Sequence, residues 1–161
     1  MSKIIILVFS FLIASANSFH FTELRYSKAL DKSIELNGEI SFFKNGLSVN
    51  YKDAKKSLHL RNGKLTYKED SQEISLKESQ TQQITQYLET IILLHDGNEK
   101  LLNNIFNVQT TANKSILTPK GSLHHFVATI ELTKKETTLK EIKLFLQNSD
   151  QITIKIDYEI H

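Results

Sequence analysis

The side chains of this sequence that could bind a metal ion or transfer a proton include six histidines. A metal site needs three or four ligands that converge on one point. Only two of the histidines are adjacent, and because neighbouring residues of a strand point to opposite faces, that pair could not easily share one ion. We interpret all six as surface residues. They are His20, His59, His95, His124, His125 and His161.

The acidic residues and possible nucleophiles form no catalytic pattern either. Four aspartates lie in predicted turns, where aspartate commonly caps its own backbone. The absence of cysteine excludes disulfides, zinc-thiolate sites and thiol nucleophiles. The G-x-S-x-G, H-E-x-x-H and P-loop motifs do not occur. We therefore predict a protein that is not an enzyme, with no catalytic residue, no metal and no cofactor. The turn aspartates are Asp53, Asp70, Asp96 and Asp150.

The overall composition narrows the class of partner. The chain has 20 lysines and arginines against 18 aspartates and glutamates, a formal net charge of +2. Proteins built to bind nucleic acid draw their affinity from many phosphate contacts, so we do not expect nucleic acid as a partner. The 161 residues include one proline and five glycines. This leaves no low-complexity linker and indicates one continuous domain.

The first 18 residues predict a secretory signal peptide. A lysine precedes an apolar run at residues 4–13, and small residues then offer cleavage sites after Ala16 or Ser18. A membrane-spanning helix would need roughly 20 apolar residues, about twice this run. We predict that the signal peptide is removed and that residues 19–161 form the exported domain.

Period-two alternation of apolar and polar residues dominates the rest of the chain and predicts antiparallel strands. Asn45-Gly46 and Asn62-Gly63 supply hairpin turns between four of them. The economical interpretation is a meander of about ten or eleven strands. The predicted strands cover residues 34–42, 47–51, 58–60, 65–67, 74–76, 105–108, 115–117, 128–132, 142–146 and 152–160.

The middle of the chain changes period. Apolar residues three and four apart between Ser79 and Gly97 predict an amphipathic helix of about four turns, with Ser79 or Thr81 capping its start. Its end, residues 91–94, is apolar nearly all round, which exceeds what a surface helix requires. Residues 101–102 predict a second short helix. A sheet of this size curls to bury its apolar face, and either a packed core or a cavity suited to acyl chains would fill it.

The order of these features resembles the LolA family of outer-membrane lipoprotein carrier proteins. The resemblance extends over most of the predicted exported domain, and it rests on the order and spacing of five segments rather than on any single one. The segments are residues 36–42 (LNGEISF), 62–67 (NGKLTY), 88–94, 116–120 (ILTPK) and 142–156.

The resemblance implies a fold, a location and a function. The fold is α+β and mainly β, an unclosed antiparallel barrel with one or two lid helices over a hydrophobic cavity. Such a protein is a monomeric periplasmic chaperone, which binds the acyl chains of lipoproteins released by an inner-membrane ABC transporter and carries them to an outer-membrane acceptor, either a protein or the membrane. Lys44 matches a basic residue implicated in cargo transfer, although Asn45 stands where the family has proline.

A carrier must also be able to release the acyl chain that it binds, and this limits how tightly the cavity can hold it. Burying one methylene contributes roughly 0.8 kcal/mol, so a sixteen-carbon chain offers on the order of 12 kcal/mol. Release then requires incomplete burial or a helix that competes for the cavity. We predict that helix residues Ile84, Leu88, Ile91 and Ile92 form this competing lid. The predicted cavity lining is Leu36, Ile40, Leu47, Val49, Leu60, Ile130, Leu132, Leu144 and Ile154.

Other interpretations of the sequence remain open. The protein could bind free lipid or glycolipid in the periplasm, since the predicted cavity is not specific for lipoproteins. It could also be a non-catalytic envelope protein that pairs with partners through exposed strand edges. A small exported hydrolase is disfavoured because no nucleophile, base and orienting group can be assembled.

Overall fold

The computed structural model describes residues 17–136 and 138–157. Nearly all of the predicted signal peptide, and the end of the last predicted strand at residues 158–160, lie outside these residues. The described chain forms eleven strands, two α-helices and one short 3-10 helix. In order these are β1 (Asn17–Ser27), β2 (Lys32–Phe43), β3 (Gly46–Tyr51), β4 (Lys56–Arg61), β5 (Lys64–Glu69), β6 (Gln72–Glu73), α1 (Glu78–Asp96), α2 (Glu99–Ile105), β7 (Phe106–Thr110), β8 (Lys114–Pro119), the 3-10 helix (Gly121–His125), β9 (Val127–Lys135), β10 (Thr138–Leu146) and β11 (Gln151–Asp157).

All eleven strands belong to one antiparallel sheet. The spatial order is β6-β5-β4-β3-β2-β1-β11-β10-β9-β8-β7. Each strand pairs with the strand that follows it in sequence, except that β6 and β7 do not pair, and β1 also pairs with β11 at the centre of the sheet. Strands β6 and β7 are the two edges, so the sheet is not closed, and α1 and α2 form the connection between them. The predicted unclosed, mainly β fold with two helices is confirmed.

The strand register collects the alternating apolar residues on one face of the sheet. Ile40 of β2 lies opposite Val49 of β3, and Val49 lies opposite Leu58 of β4. In the other half, Leu132 of β9 lies opposite Ile142 of β10. Since residues directly opposite one another share a face, these side chains form one apolar surface, and the buried core lies on it.

Gly38 allows two aromatic rings to cross β2 on this apolar face. It lies opposite Phe21 in β1 and Tyr51 in β3. The two rings meet edge to face with centroids 5.6 Å apart. A Cβ at position 38 would lie 2.8 Å from the Phe21 ring and 2.4 Å from the carbonyl oxygen of Asn50. Position 38 therefore needs glycine because glycine has no side chain, and not because of its conformational freedom.

The helices agree with the sequence prediction except at the first cap. The predicted helix at residues 79–97 is α1, and its N-cap is Lys77 rather than Ser79 or Thr81. Its C-terminal end is the predicted one, since Gly97 adopts φ 63° and donates its N–H to the carbonyl of Leu93 at 3.1 Å. The second predicted helix is α2. Neither helix in the described chain has the length and apolar content to span a membrane.

One strand was missed by the sequence prediction, and one predicted strand is wrong. Strand β1 was not predicted, because Glu23 and Arg25 occupy inward positions where an alternating strand would have apolar residues. The strand predicted at residues 74–76 is wrong. Strand β6 ends at Glu73, and Ile74 is 39% exposed beside it.

Candidate ligand-binding site

Helix α1 lies on the apolar face, and the sheet curls around it. Strands β3 and β10 are separated by three other strands, yet residues of both line the same pocket beneath α1. The helix itself contacts β3 and β5, in one half of the sheet. In this position the helix fills the space over the half of the sheet that contains β3 and β5. Space remains beside the helix, over the other half.

The space beneath α1, which we call the inner pocket, is almost completely filled. Its volume is about 30 Å³, far too small for an acyl chain. The predicted lid residues Leu88 and Ile91 fill it from the helix, and both are buried. The predicted lining residues Ile40, Val49 and Ile154 meet them from the sheet.

A much larger outer cavity lies beside α1, with a volume of about 510 Å³. Small-molecule sites typically measure roughly 300–1,000 Å³. Its floor is apolar and comes from the half of the sheet that α1 leaves uncovered, with Val127, Leu144 and Ile152 as examples. Ile84 of α1, a predicted lid residue, contributes to one wall. Arg25 and several amide side chains supply polar groups around the floor.

A third cavity of about 440 Å³ adjoins the outer cavity along α1. The two share Gln86, Thr90 and Leu123 in their walls. The third cavity reaches α2 through Ile105, and the predicted lid residue Ile92 lines it. Together the two cavities follow the side of α1 that faces away from β3 and β5.

The remaining predicted site residues lie away from these three cavities. Leu36 is half-buried against the core, whereas Lys44 is exposed in the turn between β2 and β3. The others are buried in the packed core and line none of the three cavities. These are Leu47, Leu60, Ile130 and Leu132. Of the predicted lining, Ile40, Val49, Leu144 and Ile154 reach a cavity wall.

A buried carboxylate is the feature that the sequence prediction missed. Glu23 is 1% exposed on the inward face of β1. Its side chain accepts hydrogen bonds from the hydroxyl of Tyr51 at 3.0 Å and from the hydroxyl of Tyr87 at 3.4 Å. Arg25 donates its Nε–H to the same carboxylate and a second N–H to the Tyr51 hydroxyl at 3.2 Å. We call these four residues the Glu23 cluster.

The cluster keeps its hydrogen-bond donors protonated. Burial, together with the negative charge of Glu23, raises the pKa of Tyr51 and of Tyr87 well above the usual tyrosine value. Burial by itself would lower the pKa of Arg25, but the charge and hydrogen bond of Glu23, together with the neighbouring Tyr51 and Tyr87, raise the pKa above its ordinary value. The two phenols and the guanidinium therefore remain donors at any physiological pH.

The Glu23 cluster separates the inner pocket from the outer cavity. Glu23 and Tyr51 line the inner pocket, Arg25 lines the outer cavity, and Tyr87 lines both. Alternation along β1 was the signal that could have located it, since Phe19, Phe21, Glu23 and Arg25 share one parity. Recognising it required predicting β1 as a strand.

The C-terminal end of α1 is held by ring stacking. The rings of His95 and Phe42 are parallel within 9° and their centroids are 3.6 Å apart. On the same helix, His95 Nδ1 lies 3.5 Å from the carboxylate of Asp96, whereas Gln86 Oε1 is buried without a hydrogen-bond partner in the described chain. Buried polar atoms are almost always paired, so the Gln86 oxygen is an exception.

The outer and third cavities are of a size that suits a small ligand. The described residues contain no group of three side chains that could hold a metal ion. The sequence matches no protein-family model and no curated protein. What the structure shows is an unclosed antiparallel sheet, a helix on its apolar face, and two cavities of ligand size beside that helix.

Proposed function

We propose that this protein is a non-catalytic periplasmic carrier of acyl chains, which takes lipoproteins released by an inner-membrane ABC transporter and delivers them to an outer-membrane acceptor. The observation that carries the proposal is the apolar floor of the outer cavity, at about 510 Å³, beside one helix on an unclosed sheet. The resemblance in the order of sequence segments points to lipoproteins as the source of the chains.

The cavities set how much cargo fits without rearrangement. A single acyl chain can lie on the floor of the outer cavity and continue along α1 into the third cavity, because the two adjoin. A lipoprotein with more than one chain needs the volume under the helix as well. That volume is filled by Leu88 and Ile91, so full loading requires α1 to move off the sheet.

Competition between α1 and cargo would make release possible. Leu88, Ile91 and Leu94 are buried beneath the helix. At roughly 1.5–3 kcal/mol for each buried aliphatic side chain, their return to the sheet contributes about 5–9 kcal/mol. That offsets a large part of the roughly 12 kcal/mol available from one fully buried sixteen-carbon chain. The buried, unpaired oxygen of Gln86 would gain water on displacement, which lowers the cost of moving the helix further.

The direct test is to identify what the protein carries. The protein is purified from its native periplasm without detergent, and bound material is analysed by mass spectrometry. Co-purifying acylated lipoprotein supports the proposal. Free phospholipid or glycolipid alone would instead support a general lipid carrier, and a protein that carries nothing and takes up no acylated peptide in vitro would overturn both.

A further inference from the structure

We propose that the outer cavity binds the anionic head group of an acyl-chain amphiphile, a carboxylate or a phosphate, through the guanidinium of Arg25. The inference rests on the proposed function, since it takes the apolar floor as the site of an acyl chain. It goes beyond that function, because the chains of a lipoprotein are attached through neutral ester and amide groups, whereas this site would take a free amphiphile with an anionic head group.

Arg25 is oriented before any ligand arrives. Its Nε–H is bound to Glu23, one further N–H is bound to the Tyr51 hydroxyl, and the guanidinium carbon lies 5.8 Å from the centroid of the Tyr51 ring. An arginine side chain has five N–H donors, so three have no partner among the described residues. The side chain is 46% exposed and lies on the wall of the outer cavity.

The charges around the outer cavity favour an anion. Among the described residues that line it there is no aspartate or glutamate, whereas Arg25 carries a positive charge. Glu23 lies behind Arg25 and is 1% exposed. A ligand in the cavity therefore meets the positive end of the Glu23–Arg25 pair. Charge-assisted hydrogen bonds from arginine to carboxylate or phosphate are among the stronger polar contacts in proteins.

Folding stability alone does not explain this pair. A buried ion pair is often no more stabilising than apolar residues of similar volume, because desolvation offsets the attraction between the charges. The remainder of the β1 inward face nearby, including Phe21, is apolar. The Glu23–Arg25 pair lies where the apolar face meets a cavity of ligand size. A ligand that binds the positive charge would explain why a charged pair is found there.

The arrangement fits the two ends of an amphiphile. Leu144, Leu146 and Ile152 provide the apolar floor, and Arg25 lies on the wall of the same cavity.

The test compares three ligands with the same sixteen-carbon chain: palmitate, palmitoyl lysophosphatidic acid and neutral monopalmitoylglycerol. Their dissociation constants are measured by isothermal titration calorimetry with the purified protein below the micellar concentration. We expect at least one anionic ligand to bind roughly ten- to a hundredfold more tightly than the neutral one. The anion that binds more tightly identifies the head group.

Two variants show whether Arg25 is responsible. Changing Arg25 alone would leave Glu23 as a buried unpaired charge and could prevent folding, so the test variant is Glu23→Gln/Arg25→Gln, which removes both charges. In this variant the two anionic ligands are expected to bind only as tightly as the neutral one. The matched control is Lys64→Gln, which removes a positive charge from an exposed position outside the cavity and should keep the preference.

The outcomes separate this inference from the proposed function. If wild-type protein binds neutral and anionic ligands equally, or if the double variant keeps the preference, Arg25 does not recognise the head group, while acyl-chain binding stands. Loss of the preference in Lys64→Gln would also overturn the inference, because it would indicate non-specific attraction. If none of the three ligands binds, both the inference and the proposed function fail.

Discussion

Replacing Leu88 with alanine tests whether α1 leaves the sheet when cargo with more than one acyl chain binds. Leu88 is 1% exposed and fills the inner pocket from the helix. Shortening a buried leucine to alanine typically costs about 2–5 kcal/mol of stability. If α1 is displaced in the loaded protein, only the empty state loses this contact. The variant should then bind a ligand with several acyl chains more tightly, by about 30-fold for a cost of about 2 kcal/mol.

Both quantities are measured on the same preparations. Urea denaturation gives the free energy of unfolding, and calorimetric titration with a triacylated lipopeptide, whose chains need the volume beneath α1, gives the dissociation constant. The control is Leu47→Ala in β3, because Leu47 is equally buried but lies outside the three cavities. It should lose similar stability without a gain in affinity. Unchanged or weaker binding by Leu88→Ala would refute the idea of a competing helix.

Three further predictions concern the sheet and the Glu23 cluster. Gly38→Ala should lower the free energy of unfolding by about 1–3 kcal/mol, since the new Cβ would press on a carbonyl of β3 and overpack the site; a wild-type denaturation midpoint would contradict this. Arg25→Met should lower the free energy of unfolding by about 3–5 kcal/mol, because it leaves the carboxylate of Glu23 buried without its positive partner. Glu23→Gln/Arg25→Met removes both charges and should be close to wild type in stability. Denaturation curves of the two variants test this difference. The raised pKa values of Tyr51 and Tyr87 favour the folded state while both phenols are protonated, so stability should be full below the unfolded tyrosine pKa of about 10 and fall as the pH rises above it. Absorbance of phenolate during alkaline titration should therefore rise for these two tyrosines only as the protein unfolds, and their free titration in folded protein would argue against the cluster.

Short-range patterns made much of the sheet predictable. Asn62 and Gly63 adopt φ values of 50° and 74°, which suit the two central positions of a type I′ hairpin turn. Period-two alternation on both sides of such turns fixes which side chains share a face, so β2 to β5 could be located from the sequence. The helix α1 was equally visible from its spacing and from the glycine that ends it.

The site was less predictable because it depends on long-range placement. Glu23 and Arg25 interrupt the apolar pattern of β1, and only the pairing with β2 and β11 shows that they face inward. Which half of the sheet α1 covers is not encoded in its periodicity. As a result, Leu47 and Ile130 share the predicted apolar face but lie in packed core, while Leu144 lies on a cavity wall.

The pairing of β1 with β11 also determines when the binding site can exist during folding. His20 lies opposite Asp157, at the far end of the described chain. The meanders β2–β5 and β7–β10 contain only local pairings, which form readily, whereas this central seam closes the longest loop in the protein and is expected to form late. The Glu23 cluster is on the strand at this seam. An incomplete chain would thus lack both the seam and the site, and a chain exported through a membrane would acquire its binding surface only after its last strand had crossed.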